Sequence, residues 1–174
     1  MNNITIRTTT SSDEDEIKSL YSAAFPEEDL ISLVLTLLNA NKDVFCLVAE
    51  AESKIIGHTA LTICDIKEQS CIAALLGPLA VLPDVQNQGV GSLLVKEGIM
   101  LMEEEKIAKV LVLGNPNYYG KFGFAKEECV MPPYQIPQEW NNAWQSCNLN
   151  EKGRLAKGVI AVPKMWRRKE LWSA

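Results

Sequence analysis

The sequence predicts one α/β domain, and three observations carry that prediction. Strand-like and helix-like segments alternate along the 174 residues. One strand-like segment, residues 71–82 (CIAALLGPLAVL), is apolar on both faces, as suits a central strand of a covered sheet. That segment passes through a glycine-rich turn directly into a long helical pattern. With 47% hydrophobic residues, a chain of this length can bury a real core.

Taken in order, ITIRTT (residues 4–9) alternates apolar and polar residues as a half-buried strand does. SSDEDEIKSLYSAAF offers Ser12 as a helix cap with acids in the first turn, so the run Asp13 to Glu16 reads as cap chemistry. In EDLISLVLTLLNA, the residues Leu30, Leu33, Val34, Leu37 and Leu38 share one helical face, which predicts a second helix. DVFCLVAEAESKIIGHTALTICDI reads as two strands around a polar turn at residues 50–53, a hairpin. The doubly apolar fourth strand follows, and a helix runs from the glycine turn to about Lys106. AKVLVLGN is a fifth, buried strand, PNYYGKFGF a short helix or turn, and AKEECVM a further extended run.

Proline-rich MPPYQIPQEW changes the texture near residue 131. Residues 1–130 are expected to form the domain. Residues 131–174, with all four tryptophans and the strand-like KGVIAVP, are expected to be an extension packed on it.

Composition narrows the function classes. No apolar run reaches the roughly 18 residues of a membrane helix, and the polar start lacks the basic and apolar regions of a signal peptide. A cytoplasmic location is the expectation. Cysteines at 46, 64, 71, 129 and 147 are odd in number and lack C-x-x-C spacing, and three sit in apolar runs as small buried hydrophobes. A single histidine, His58, gives little support to a zinc site, and on an apolar strand it reads as a satisfied core residue. The formal charge of -5 argues against a broad nucleic-acid surface but is silent on a local anion site.

The stretch VLPDVQNQGVGSLLV (residues 81–95) poses the functional question. Glycine in a helix costs about 1 kcal/mol relative to alanine, so Gly89 and Gly91 at a helix start need a reason. A helix N-terminus exposes unpaired N–H groups and the positive end of its dipole, and bare glycines there make a seat for an anion such as a pyrophosphate. A tight turn without ligand explains the same residues. A P-loop would need lysine and then serine or threonine after the last glycine, whereas Gly91 is followed by Ser92 and Leu93. A dinucleotide fingerprint would need glycine or alanine at position 94, which is leucine, and an acid about 20 residues on.

Gln86-Asn87-Gln88-Gly89-Val90-Gly91 resembles the Q/R-x-x-G-x-G/A signature of the GNAT superfamily of N-acetyltransferases, and it stands between the fourth strand and the long helix, where that signature belongs. Tyr119-Gly120-Lys121-Phe122-Gly123-Phe124 resembles the family's Y-x-x-x-G-F segment after the fifth strand. LGPLAVLP with NPNYYGKFGF is most similar to the YhbS-like group, and the resemblance covers residues 4–128. It implies a mixed, mainly antiparallel sheet splayed between its fourth and fifth strands, with helices on both faces. It implies acetyl-CoA as co-substrate, no metal, and an amine acceptor, either a small molecule or a peptide, attacked directly without a covalent enzyme intermediate.

By the same resemblance, Gln86, Asn87, Gln88, Gly89, Val90, Gly91 and Ser92 would hold the pyrophosphate, and Leu79, Ala80 and Val81 would pair with pantetheine amides. Asn115 and Tyr119 would lie along the cofactor. Proline cannot donate to a ladder and glycine often marks a bulge, so Gly77-Pro78 has the local chemistry to free backbone groups ahead of Leu79. Tyr119 would act as general acid on the departing thiolate, since a phenol with a pKa near 10 is still protonated at neutral pH. A backbone N–H around Val81 is a candidate for the oxyanion.

Phe122 and Phe124 read as an aromatic plug; Tyr118 is open between plug and site. Glu28, with Glu27 and Asp29, lies in the region the family uses to line its acceptor site and is the candidate base, although a solvated cap on the second helix explains the three acids equally. The opposing functional reading is a CoA-binding sensor or interaction module without turnover; the retained Tyr119 argues against it. Acceptor identity and oligomeric state, a homodimer included, are open.

Overall fold

In the computed structural model, which describes residues 3–173, the elements follow one another as β1 (Thr5–Thr8), α1 (Glu14–Ala24), α2 (Ile31–Leu38), β2 (Val44–Ala51), β3 (Lys54–Ile66), β4 (Ile72–Val81) and α3 (Val90–Glu104). There follow β5 (Lys109–Leu113), α4 (Pro116–Tyr119), β6 (Ala125–Lys126), β7 (Val130–Met131), β8 (Trp144–Asn148), α5 (Glu151–Leu155) and β9 (Gly158–Ala161). Contacts group the chain into two units. The first takes the residues up to Thr62 with Gly77–Met100, and the second takes Ile63–Leu76 with the chain from Leu101 onward. Among the described residues, no helix is long and apolar enough to cross a membrane.

In the first unit, β2 pairs antiparallel with β1 (Thr5↔Glu50 to Thr8↔Leu47) and with β3 (Val44↔Thr62 to Ala51↔Lys54), the expected hairpin. Ile17, Leu20 and Tyr21 of α1 and Val34 of α2 bury their faces with Val48, Ile55 and Ala80, and Leu30 and Leu38 pack against that cluster. Backbones come close at Gly57, where an added Cβ would lie 2.9 Å from Leu94 and 3.2 Å from the Ala80 carbonyl.

Two helix starts differ from the sequence expectation. The chain enters α1 through a 3-10 turn, Ser11–Asp13, and it is the Asp13 carboxylate that accepts the Thr10 N–H at 2.7 Å, not Ser12 that caps. Asp13 prevails because Arg7 neutralises it, at 2.8 and 3.0 Å, while also holding Glu50 at 2.9 Å. Helix α2 starts at Ile31, not Glu28: the chain ahead of it closes on itself, with the Glu28 N–H on the Phe25 carbonyl and the Leu30 N–H on the Glu28 carbonyl.

In the second unit, β4 and β5 form a parallel ladder of Ala73↔Lys109, Ala74↔Val110 and Leu75↔Leu111. The ladder's pairs end there, and the sheet is mixed, with its fourth and fifth strands parallel. On its other side β5 pairs antiparallel with β8 along its whole length, and β6 pairs with β8 in turn. Strand β9 pairs with the end of β3 at Asp65↔Ala161 and with β7.

Strand β8 and helix α5 are absent from the sequence expectation. The hydrophobic pattern misses β8 because two of its buried residues are polar and satisfied from within: Gln145 Nε2 donates to the Gly114 carbonyl at 3.0 Å, and Ser146 Oγ to Glu127 at 2.5 Å. Glu127 also breaks the run AKEECVM into β6 and β7. Its carboxylate takes Lys109 Nζ and the N–H groups of Cys129 (2.7 Å) and Val130 (2.9 Å). Burial raises its pKa, but these donors outweigh that and hold it below the usual carboxylate range. Trp144, Trp166 and Trp172 interlock edge to face, and the indoles of Trp144 and Trp172 donate to the Val130 and Trp166 carbonyls. Cys46, Cys64 and Cys71 are buried as expected, and burial pushes the Cys46 and Cys64 thiols up to about 12.

Candidate active site

The first unit carries the glycine turn. Beyond Val81 the chain makes a 3-10 turn at Pro83–Val85 and then an exposed turn over residues 86–89, and α3 begins at Val90, whose side chain is buried. Asn87 (φ 60°) and Gly89 (φ 90°) both hold left-handed backbone, which glycine adopts freely and asparagine tolerates. No atom lies within 4 Å of where a Cβ on Gly89 would stand, so this glycine serves the backbone and leaves open space above it. Gln86 Nε2 donates to the Val81 carbonyl and Gln88 Nε2 to the Asp84 carbonyl, both at 3.1 Å, stitching the turn to the end of β4. The intrahelical bond from the Leu93 N–H goes to the Gly89 carbonyl, so the amides of Val90, Gly91 and Ser92 are those a helix start leaves without an intrahelical acceptor. No acidic residue occupies that first turn.

The structure thus brings Leu79, Ala80 and Val81 into one segment with Gln86, Asn87, Gln88, Gly89, Val90, Gly91 and Ser92. Just ahead of them Gly77 holds φ 142°. The Pro78 carbonyl is taken by side chains, accepting from Thr59 Oγ1 at 3.2 Å and Tyr21 OH at 3.3 Å. His58 is 0% exposed, and burial brings its pKa down to about 3. Its Nδ1 meets Tyr21 OH at 2.9 Å, but its Nε2 is a buried side-chain atom with no partner among the described residues. The expectation of a satisfied core histidine therefore holds for one ring nitrogen only. Glu27, Glu28 and Asp29 stand exposed in the loop between α1 and α2.

The second unit carries the tyrosine. Asn115 caps α4, its Oδ1 accepting the Asn117 N–H at 2.9 Å, and Pro116 occupies the first helical position, which suits its fixed φ. One helical turn on, the Tyr119 side chain folds back over the end of β5. A Cβ on Gly114 would lie 2.4 Å from Tyr119 Cε2, so the ring rests on a glycine that has no side chain to displace it. Gly114 is itself fixed, its N–H on the Ala143 carbonyl at 2.9 Å and its carbonyl on Gln145. Phe124 and Tyr118 close the seat edge to face, at 5.6 and 5.0 Å. Tyr119 is 8% exposed, and burial, with Tyr118 adding to it, raises its pKa well above the ordinary phenol value. Its proton is therefore held throughout the neutral range. Phe124 is buried as plug, whereas Phe122 is only half-buried and meets Tyr118 edge to face. Gly114 and Gln145 are the residues that sequence reasoning missed here. A glycine between a strand end and a capping asparagine is the one signal that could have pointed to the first.

A mixed sheet whose fourth and fifth strands pair in parallel, with a glycine turn leading from the fourth strand into a long helix, is the arrangement of an acetyltransferase fold. Residues 42–126 match the acetyltransferase (GNAT) domain. Over 167 residues the chain is 30% identical to the uncharacterized N-acetyltransferase YjhQ of Escherichia coli K12, covering 92% of each chain. The chain belongs to the GNAT acetyltransferase family. Its structure is similar to that of the Escherichia coli GNAT family N-acetyltransferase YhbS solved in complex with CoA, with a TM-score of 0.86, 24% identity, and 97% and 94% of the two chains covered. It is also similar to a GNAT family acetyltransferase from Brucella melitensis solved in complex with acetyl-CoA, with a TM-score of 0.77, 24% identity, and 95% and 99% covered. At these identities the two likenesses bear on the fold.

Proposed function

We propose that this protein transfers the acetyl group of acetyl-CoA to a primary amine by direct attack, without a covalent enzyme intermediate. The observation that carries the reading is the turn at residues 86–89. Its left-handed backbone at Gly89 opens onto empty space immediately before helix amides that lack intrahelical acceptors. The pyrophosphate oxygens would accept from the amides at Gly89, Val90, Gly91 and Ser92, with the dipole of α3 adding to the attraction. The backbone of Leu79, Ala80 and Val81 would pair with the pantetheine amides, and Asn115 would lie along the cofactor.

In the reaction, the nitrogen of a neutral amine attacks the thioester carbon, and a backbone N–H near Val81 would stabilise the oxyanion that forms. The amine proton leaves to a carboxylate, for which Glu28 is the candidate, or to solvent. Collapse breaks the carbon–sulfur bond, and the thiolate takes its proton from Tyr119, giving the acetylated amine and free CoA. Burial makes Tyr119 a reluctant acid in isolation. The same desolvation makes a thiolate departing beside it a stronger base, so donor and acceptor shift together. All five cysteines are free, which suits the reducing cytoplasm where we place the protein.

The test is release of free thiol from acetyl-CoA across a panel of small and peptide amines, with the acetylated product identified by mass spectrometry. Binding of CoA with no turnover on any acceptor would replace this reading by that of a CoA-binding module.

A further inference from the structure

The Pro78 carbonyl on β4 is held by two hydroxyls. Thr59 Oγ1 reaches it at 3.2 Å and Tyr21 OH at 3.3 Å, and all three contributing side chains, Tyr21, His58 and Thr59, are almost wholly buried. A phenol carries one proton. If Tyr21 donates it to Pro78, its oxygen must accept from His58, and at 2.9 Å from Nδ1 it is placed to do so. In that arrangement the ring proton sits on Nδ1 and Nε2 is a bare acceptor, the nitrogen with no partner among the described residues. Burial keeps His58 neutral, so the group works as a fixed donor and not as a proton shuttle.

The peptide plane connects this relay to the chemistry. A trans peptide is rigid and its carbonyl and N–H point in opposite directions. Fixing the Pro78 oxygen toward Tyr21 and Thr59 therefore turns the Leu79 N–H away from them.

We propose that Tyr21 and His58 are positioning residues for acetyl transfer: the relay from His58 Nδ1–H to Tyr21 OH to the Pro78 carbonyl, with Thr59 alongside, sets the direction of the Leu79 N–H. It thereby orders the backbone of Leu79–Val81 against which the pantetheine arm is to lie. This rests on the acetyl-CoA reading above, and it ties helix α1 to the strand that would carry the cofactor.

The experiment uses the full chain and two ligands, CoA and adenosine 3′,5′-bisphosphate, which lacks the pantetheine arm. Tyr21→Phe keeps the ring and removes the hydroxyl. It should weaken CoA about tenfold by calorimetry, leave the bisphosphate unchanged, and shift the Leu79 amide resonance in the ligand-free protein. His58→Asn retains a donor close to the Nδ1 position and should bind CoA within about twofold of the parent, whereas His58→Leu, which packs at least as well, should lose about tenfold.

Equal behaviour of His58→Asn and His58→Leu overturns the relay. So does a parallel loss of both ligands in Tyr21→Phe, or an unmoved Leu79 resonance. If the parent protein binds neither ligand, the acetyl-CoA reading itself fails, and the Leu79 resonance of the ligand-free variants decides the relay alone.

Discussion

Gly89 and Gly114 both stand beside residues assigned to the reaction, and for opposite reasons. Around the first there is nothing within 4 Å and the backbone is left-handed; onto the second a tyrosine ring is pressed so closely that a Cβ would sit 2.4 Å from it. One glycine leaves space open beside the backbone, and the other makes space for the protein's own side chain. The same residue type thus leaves open space in one place and seats a side chain in the other, so under the proposed function substitutions at the two should fail differently.

The largest effect is expected at the seat. Gly91→Glu adds bulk and a negative charge where an anion is to sit, and it should abolish CoA binding while the protein stays folded. Calorimetry on a variant with a native circular dichroism spectrum decides it, and undiminished binding would remove the anion seat from the comparison.

The tyrosine side should lose rate and not affinity. Tyr119→Phe should hold CoA normally while turnover falls about 10²- to 10⁴-fold, the usual worth of a positioned proton donor. Gly114→Ala, which must push the ring aside, should reproduce that loss and also destabilise the fold by about 1–3 kcal/mol. Combined in one chain, the two changes should cost little more turnover than either alone, because both remove the same hydroxyl from its place. Additive losses would mean that Gly114 does something other than seat Tyr119.

Acid should separate the regions further. His58 has a folded pKa of about 3, below its ordinary value of 6.5. Its neutral form therefore contributes stability that is fully present above pH 6.5 and is lost as pH falls toward 3. By linkage, about 2 kcal/mol should go between pH 6.5 and 5. Urea titrations across that range should show the slope in the parent and a flat line in His58→Asn; a parent that is equally flat would mean that His58 is charged in the folded state.

The smallest effect belongs to the acids ahead of α2. Asp13 is committed to Arg7 and Thr10, Glu14 and Asp15 pair with Lys18 at 2.9 and 3.4 Å, and Glu16 accepts the Ile55 N–H at 3.0 Å, which leaves Glu27, Glu28 and Asp29 as the early acids exposed in the loop. Their field should favour a cationic amine through steering that salt screens. Converting the three to amides should raise the Michaelis constant for such an acceptor a few-fold at low ionic strength. An unchanged salt dependence would leave them as a solvated loop.

Much of this was legible in the sequence, for physical reasons. Strands β1 to β5 and helices α1 to α3 announce themselves by period, and the glycine turn and Tyr119 by two motifs in the right order. What was not legible depends on partners far along the chain. The cap at Asp13 rather than Ser12 is decided by Arg7, and the polar strand β8 by Glu127 and the Gly114 carbonyl. The role of Gly114 lies in the path of a ring five positions on, and the half-satisfied state of His58 on β3 in a phenol from helix α1. Residue patterns report what each position prefers, whereas these features report which of several partners arrives.

The Glu127 cluster has a consequence for anyone who would recombine this chain with a relative. Lys109 sits on β5, Glu127 between β6 and β7, and Ser146 on β8, and one buried carboxylate receives them all. Removing either charge strands the other away from water, at about 3–5 kcal/mol. A crossover placed between β5 and β6 parts the lysine from the glutamate, and is safe only when both parents carry the matching pair. The chain from β6 onward is thus inherited with the fifth strand as a single cassette, and a chimera that mixes unmatched parents across that point should come out of the cell as inclusion bodies.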